Sequence, residues 1–164
     1  MTSGARPAYA ARAGIVLDQA AAELFERTYR EGMELVAEAS SYLDGAGRLE
    51  ARRLSRDAAA DYVAESMRLT TRLMQVSSWL LVQKSVRDGE TPPETAAQPR
   101  YRLASHAATR LSPRLPETLV MLSRRIDRLF ERVSRMDRQM YVEIEAPANP
   151  VASQLDRLRS AFAG

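Results

Sequence analysis

Between Leu115 and Met140 an apolar residue returns at alternating steps of four and three: Leu115, Leu119, Leu122, Ile126, Leu129, Val133, Met136 and Met140. Only an α-helix aligns residues so spaced on one edge, and a strict 4-3 alternation is the heptad seam by which helices pack along one another. Its other faces carry Arg124, Arg125, Arg128, Arg132, Arg135 and Arg138. Asp127, Glu131 and Asp137 sit among them, with Glu131 placed to pair with Arg135 at i,i+4. A seam of this length needs long partner helices, and the chain supplies two.

The first is predicted from about Ile15 to Leu43, where Phe25, Tyr29, Gly32, Val36, Ala39 and Leu43 share one face. Asp44-Gly45 and Gly47 end it. The second is predicted from about Arg56 to Arg87, with Ser55 as N-cap, Asp57 and Asp61 near its positive end, and Asp88-Gly89 as its stop. It bears two adjacent rows. Tyr62, Leu69, Leu73, Val76 and Leu80 form one, and Val63, Met67, Thr70, Met74, Ser77 and Leu81 the other. A surface helix usually shows a single stripe, so two rows imply contacts on more than one side.

Residues 90–111 form a long connection containing Pro92, Pro93 and Pro99, with room for a short helix after Pro93. After Pro147 and Pro150 a short segment places Val151, Leu155, Leu158 and Phe162 on one face. The predicted organisation is a flexible N-terminus (1–14), an all-α three-helix bundle domain (15–146) and a flexible tail with an amphipathic segment (147–164). Helices alternate in an antiparallel, up-down-up order. The doubled face of the second helix calls for a homodimer. Leu155, Leu158 and Phe162 are candidate partner-binding residues of the tail, by helix-in-groove docking. Trp79, off both rows, reads as bundle core or as an anchor for a dimer or partner.

Charge excludes less than it first suggests. The net +3 is the sum of −3 over residues 1–44 (four Arg, seven acids), +3 over 45–88 (eight bases, five acids) and +3 over 89–164 (twelve bases, nine acids). Bases interleave with acids as on a solvated helix surface, which does not favour nucleic acid. There is no cysteine and one histidine, His106. One histidine cannot supply a di-iron site, and no glycine-rich phosphate loop is present. Catalytic, metal and cofactor residues are therefore expected to be none. His106-Ala-Ala-Thr109-Arg110 lacks the Lys and Gly that follow the histidine of phosphotransfer bundles, so it reads as a loop histidine. Met67, Met74, Met121, Met136 and Met140 read as bundle filler. The most apolar run, Val76 to Val82, is too short to span a bilayer, and Met1 to Ala13 holds no signal-like apolar run, so the expected location is cytoplasmic.

Several strings are more specific than any periodicity. They are Tyr29-Arg-Glu-Gly32-Met33, Tyr42-Leu-Asp-Gly45, Gly47-Arg48, the run from Tyr62 through Glu65-Ser66-Met67-Arg68-Leu69-Thr70-Thr71-Arg72-Leu73-Met74 to Gln75, then Ser78-Trp79-Leu80-Leu81 and the tail from Gln154 to Phe162. Together they resemble the alphaproteobacterial RcdA family, regulators of CtrA degradation. The resemblance is close over the first two helices and recognisable in the tail. It is looser over the third helix and nearly absent over 90–112. It implies a dimeric three-helix bundle with a flexible C-terminal tail. It implies an adaptor for the ClpXP protease in degrading cell-cycle regulators such as CtrA, recruited through a response-regulator priming partner, with a cell-pole location among the family's properties. The alternatives are a nucleic-acid-associated regulator using the Arg-rich third helix and a histidine phosphotransfer protein using His106.

Overall fold

The computed structural model describes residues 8–103 and 110–145. Three long helices dominate: α1 (Ala8–Asp44), α3 (Arg56–Arg87) and α5 (Glu117–Glu145). Between them lie the short helices α2 (Ala46–Ala51) and α4 (Pro93–Ala96) and a single 3-10 turn at Pro99–Tyr101. Helix α1 begins at Ala8, ahead of the first apolar residue that marks it in the sequence. Helix α4 occupies the place anticipated after Pro93, whereas α2 was not anticipated. The boundary expected at 14 falls inside α1, so residues 8–14, expected as part of a flexible N-terminus, are helical; residues 1–7 and the tail from 147 onward lie outside the described residues.

The helix ends follow local chemistry. The Ser55 hydroxyl accepts the Ala58 N–H at 3.4 Å, satisfying one of the unpaired donors at the start of α3. At its other end Gly89 takes φ +77°, donating its N–H to Val86 (3.1 Å) while Glu90 donates to Ser85 (2.9 Å). That is a complete Schellman closure, which a glycine accommodates without Cβ strain. The turn from α1 into α2 is held by Tyr42, whose hydroxyl donates to Glu50 at 2.6 Å. Burial and that carboxylate push the Tyr42 phenol up.

The directions of the helices follow from which residues meet. Lys84 of α3 reaches Glu26 of α1, and Gly32 faces Leu80, so α3 runs antiparallel to α1. Arg132 and Arg125 of α5 pair with Glu31 and Glu38, so α5 also runs antiparallel to α1. On the third side Asp61 meets Ser112 and Arg114, Arg68 meets Asp127, Trp79 meets Asp137 and Gln83 meets Tyr141. Both numbers rise together, so α3 and α5 are parallel. The bundle is therefore up-down-down, in place of the expected up-down-up. Residues 88–116 are a crossover returning the chain to the end where α3 began. Such a return must traverse about 48 Å of helix, which a short turn cannot do.

The seam residues of α5 fill the centre. Leu119, Ile126, Leu129 and Val133 are fully buried against Phe25 and Leu35 of α1 and Leu69, Val76 and Leu80 of α3. Met136 is half-buried and Met140 is exposed, so the seam outlasts the core by about one turn. Gly32 lets α1 and α3 approach closely, since a Cβ there would stand 2.6 Å from Leu80 Cδ1. Among the described residues no helix is long and apolar enough to cross a membrane.

Candidate interaction surface

The two rows read along α3 meet different fates. Tyr62, Leu69, Leu73, Val76 and Leu80 are core. Val63, Met67, Met74 and Leu81 stand outward, 51–68% exposed. Every exposed residue of α3 from 60 to 81 is Ala, Val, Met, Thr, Ser or Leu. A helix face of some 30 Å without a charge is unusual on a solvated surface, and contiguous exposed apolar area marks an interaction site.

The charges of this stretch are present but turned sideways. Asp61 accepts from the Ser112 hydroxyl (2.6 Å) and from Arg114 Nε (3.0 Å); the Ser112 bond, with Arg114, holds its carboxyl below the usual value. Arg68 Nε donates to Glu65 at 2.8 Å and Arg68 Nη1 to Asp127 at 3.0 Å. These bonds, Glu65 first, raise the guanidinium pKa despite partial burial. Arg72 also pairs with Asp127, and its guanidinium lies 5.4 Å from the Phe130 ring centroid. The most specific string in the sequence is thus divided by helical periodicity. Glu65, Arg68 and Arg72 lock α3 to α5, while Met67, Thr70, Thr71 and Met74 face out.

Two of the hydroxyls on and beside the outward face are bonded within the helix. Thr71 donates to the Met67 carbonyl at 2.9 Å and Ser77 to the Leu73 carbonyl at 2.7 Å, each spent on its own helix. The face continues onto α1 through a groove of about 250 Å³ lined by Val36, Ser40, Leu43, Thr70, Met74 and Ser77. Its lining is mostly apolar, with Asp44 as its one charged residue.

Other candidate residues fare differently. Trp79 is 1% exposed, and its Nε1–H donates to Asp137 Oδ1 at 2.8 Å inside the bundle. It has no surface to offer a partner, which corrects its reading as an anchor. Of the methionines taken as filler, Met67, Met74, Met121 and Met140 are on the surface, and only Met136 packs against the core. His106 and the tail residues Leu155, Leu158 and Phe162 lie outside the described residues.

Sequence reasoning also missed a buried polar cluster. Asp137, read as one of the acids on an Arg-rich face, is 2% exposed. Besides Trp79 it accepts from Arg102 Nε at 3.0 Å, and the Arg102 guanidinium lies 4.3 Å from the Tyr141 ring centroid. Tyr141 in turn accepts from Gln83 Nε2 at 2.8 Å. This cluster fastens the crossover to both parallel helices. The available signal was position: Asp127 and Asp137 directly follow the seam residues Ile126 and Met136, where a side chain flanks the core.

Comparison with known proteins agrees with this architecture. Residues 16–162 match the family model of DUF1465, described as a protein of unknown function. The crystal structure of RcdA from Caulobacter crescentus CB15 is similar at 55% sequence identity, with a TM-score of 0.63, over 73% of this chain and 92% of that one. No curated protein matches.

Proposed function

Since this chain belongs to the RcdA family, we propose that it is a protein-binding adaptor that promotes regulated degradation of cell-cycle regulators by a ClpXP-type protease. The observation that carries the reading is the uncharged outward face of α3, an interaction surface without reactive groups. An adaptor needs no chemistry of its own. It raises the local concentration of a substrate at the protease, so several modest contacts suffice.

In this reading the α3 face and its groove pair with a second copy of the chain, giving a cytoplasmic homodimer. Val63, Met67, Met74 and Leu81 supply the apolar contacts, and a two-fold arrangement lets identical faces meet. The tail residues Leu155, Leu158 and Phe162 contact a response-regulator priming partner or a substrate. Size exclusion with light scattering checks the pairing. The chain should run at twice its mass at micromolar concentration, and Met67→Glu with Met74→Glu should reduce it to one chain with unchanged helix content. A single-chain mass for the natural sequence would sink the dimer. Reconstituted degradation of a CtrA-type regulator by ClpXP, with and without the chain, tests the adaptor role directly. Truncation at residue 150 should then slow degradation while sparing the thermal midpoint, and a rate indifferent to the chain overturns the role.

A further inference from the structure

Helix α5 presents an outward line on the side away from its seam: Met121, Arg124, Arg128, Glu131, Arg135 and Arg138, all exposed. Any helix shows such spacing on its solvent face. What the helix does not dictate is the composition, four arginines to one acid between 121 and 138 with no lysine, Glu117 standing one turn ahead of them. Nor does it dictate that they stand unpaired. Among the described residues none of the four arginines makes an ion pair, and Glu131 does not close on Arg135. Their neighbours Arg125 and Arg132 are already spent on Glu38 and Glu31 of α1.

We infer that this arginine line is a docking edge for an acidic α-helix of a partner protein. The line is one helix wide and about 21 Å long. The flanks are neutral ion pairs, Glu31 with Arg132 and Glu38 with Arg125 on the α1 side and Asp127 with Arg68 and Arg72 on the α3 side, and Glu131 stands within the line. A broad, uniformly charged polyanion such as duplex DNA spreads over the neutral flanks and over Glu131, and gains from the arginine strip alone. A single helix about 10–12 Å across does not spread so far. It can set its acids opposite Arg124–Arg128 and Arg135–Arg138 and leave a neutral or basic residue opposite Glu131. Guanidinium forks suit carboxylates in bidentate pairs, and the Met121 thioether adapts to an apolar neighbour. A second copy docked through the same edge sets arginine against arginine, so the edge is distinct from the α3 face and can be filled while that face is paired.

The inference rests on reading the chain as a protein-binding bundle, and the test separates the two. The probe is a fluorescent synthetic helix of about three heptads, with glutamates in register with the arginines and lysine opposite Glu131. A second peptide carries the same residues with the glutamates moved off that edge, and a short DNA duplex is the third probe. Anisotropy at low salt should show the in-register peptide binding at least about tenfold tighter than the shuffled peptide and tighter than the duplex. Arg128→Glu with Arg135→Glu should abolish that preference, while circular dichroism and the oligomeric mass by light scattering stay as in the natural chain. Equal binding of the two peptides, or binding of neither, overturns the inference. Tighter binding of the duplex replaces the partner helix with nucleic acid.

Discussion

Gly47 and Gly32 look alike in sequence, each a glycine near a helix contact, but their surroundings separate them. A Cβ on Gly47 would stand 2.5 Å from the Tyr62 hydroxyl, 2.8 Å from the Tyr42 carbonyl oxygen and 2.9 Å from the Tyr42 ring. Those atoms belong to backbone and to two buried rings, so nothing can yield cheaply. Gly47→Ala should cost about 2 kcal/mol in urea denaturation. At Gly32 the obstacle is the tip of Leu80, which can swing, and alanine regains helix propensity. Gly32→Ala should therefore cost under about 1 kcal/mol. Asp137 is a second instance of burial deciding a residue's meaning. Asp137→Ala leaves the Trp79 N–H and the Arg102 guanidinium without their acceptor, and should destabilise by about 3 kcal/mol. Trp79, the single tryptophan, should report the change as red-shifted emission. The sequence shows Asp137 and Trp79 far apart, and nothing in their spacing joins them. Their bond depends on α3 and α5 being parallel, which heptads do not encode.

At the level of helices, local signals carried well. Ser55, Asp88-Gly89 and Asp44-Gly45 fix ends whose chemistry is local, and both rows of α3 are visible in its spacing, though not which of them faces inward. The crossover was not legible, because it is held by side chains brought from afar and not by a period of its own. Its docking at the start of α3 depends on Asp61. The lowered carboxyl pKa means that Asp61 adds stability above its unfolded value, lost as pH falls through the folded one. Because the Ser112 hydroxyl is the leading cause, Ser112→Ala should move the Asp61 titration upward toward the ordinary carboxylate value, as followed by carboxyl NMR. A titration unmoved by Ser112→Ala would mean that Arg114 alone sets it.

For the whole molecule, the three-helix all-α architecture was readable from periodicity, but its order of directions was not. Adjacent helices are usually antiparallel when loops are short, and the connection here is long for a reason. Replacing residues 90–113 by about five flexible residues, ample for an antiparallel pair, should abolish cooperative thermal unfolding of the protomer, because the ends of α3 and α5 to be joined lie a helix length apart. Native-like unfolding of that variant would show α5 able to reverse.

The parallel pairing also sets an order in time. Contacts between α1 and α3 close around the short α2 corner, and the antiparallel hairpin they form can condense while the rest of the chain is still being synthesised. Helix α5 must then be carried back along the whole bundle before Asp127 and Asp137 find Arg72 and Trp79. Loop closure over such separations is slow by the standards of helical proteins. Docking of α5 should then limit the folding rate, so the element that carries the arginine edge should be the last to join the core, and stopped-flow refolding of Asp137→Ala should be slower than that of the natural chain.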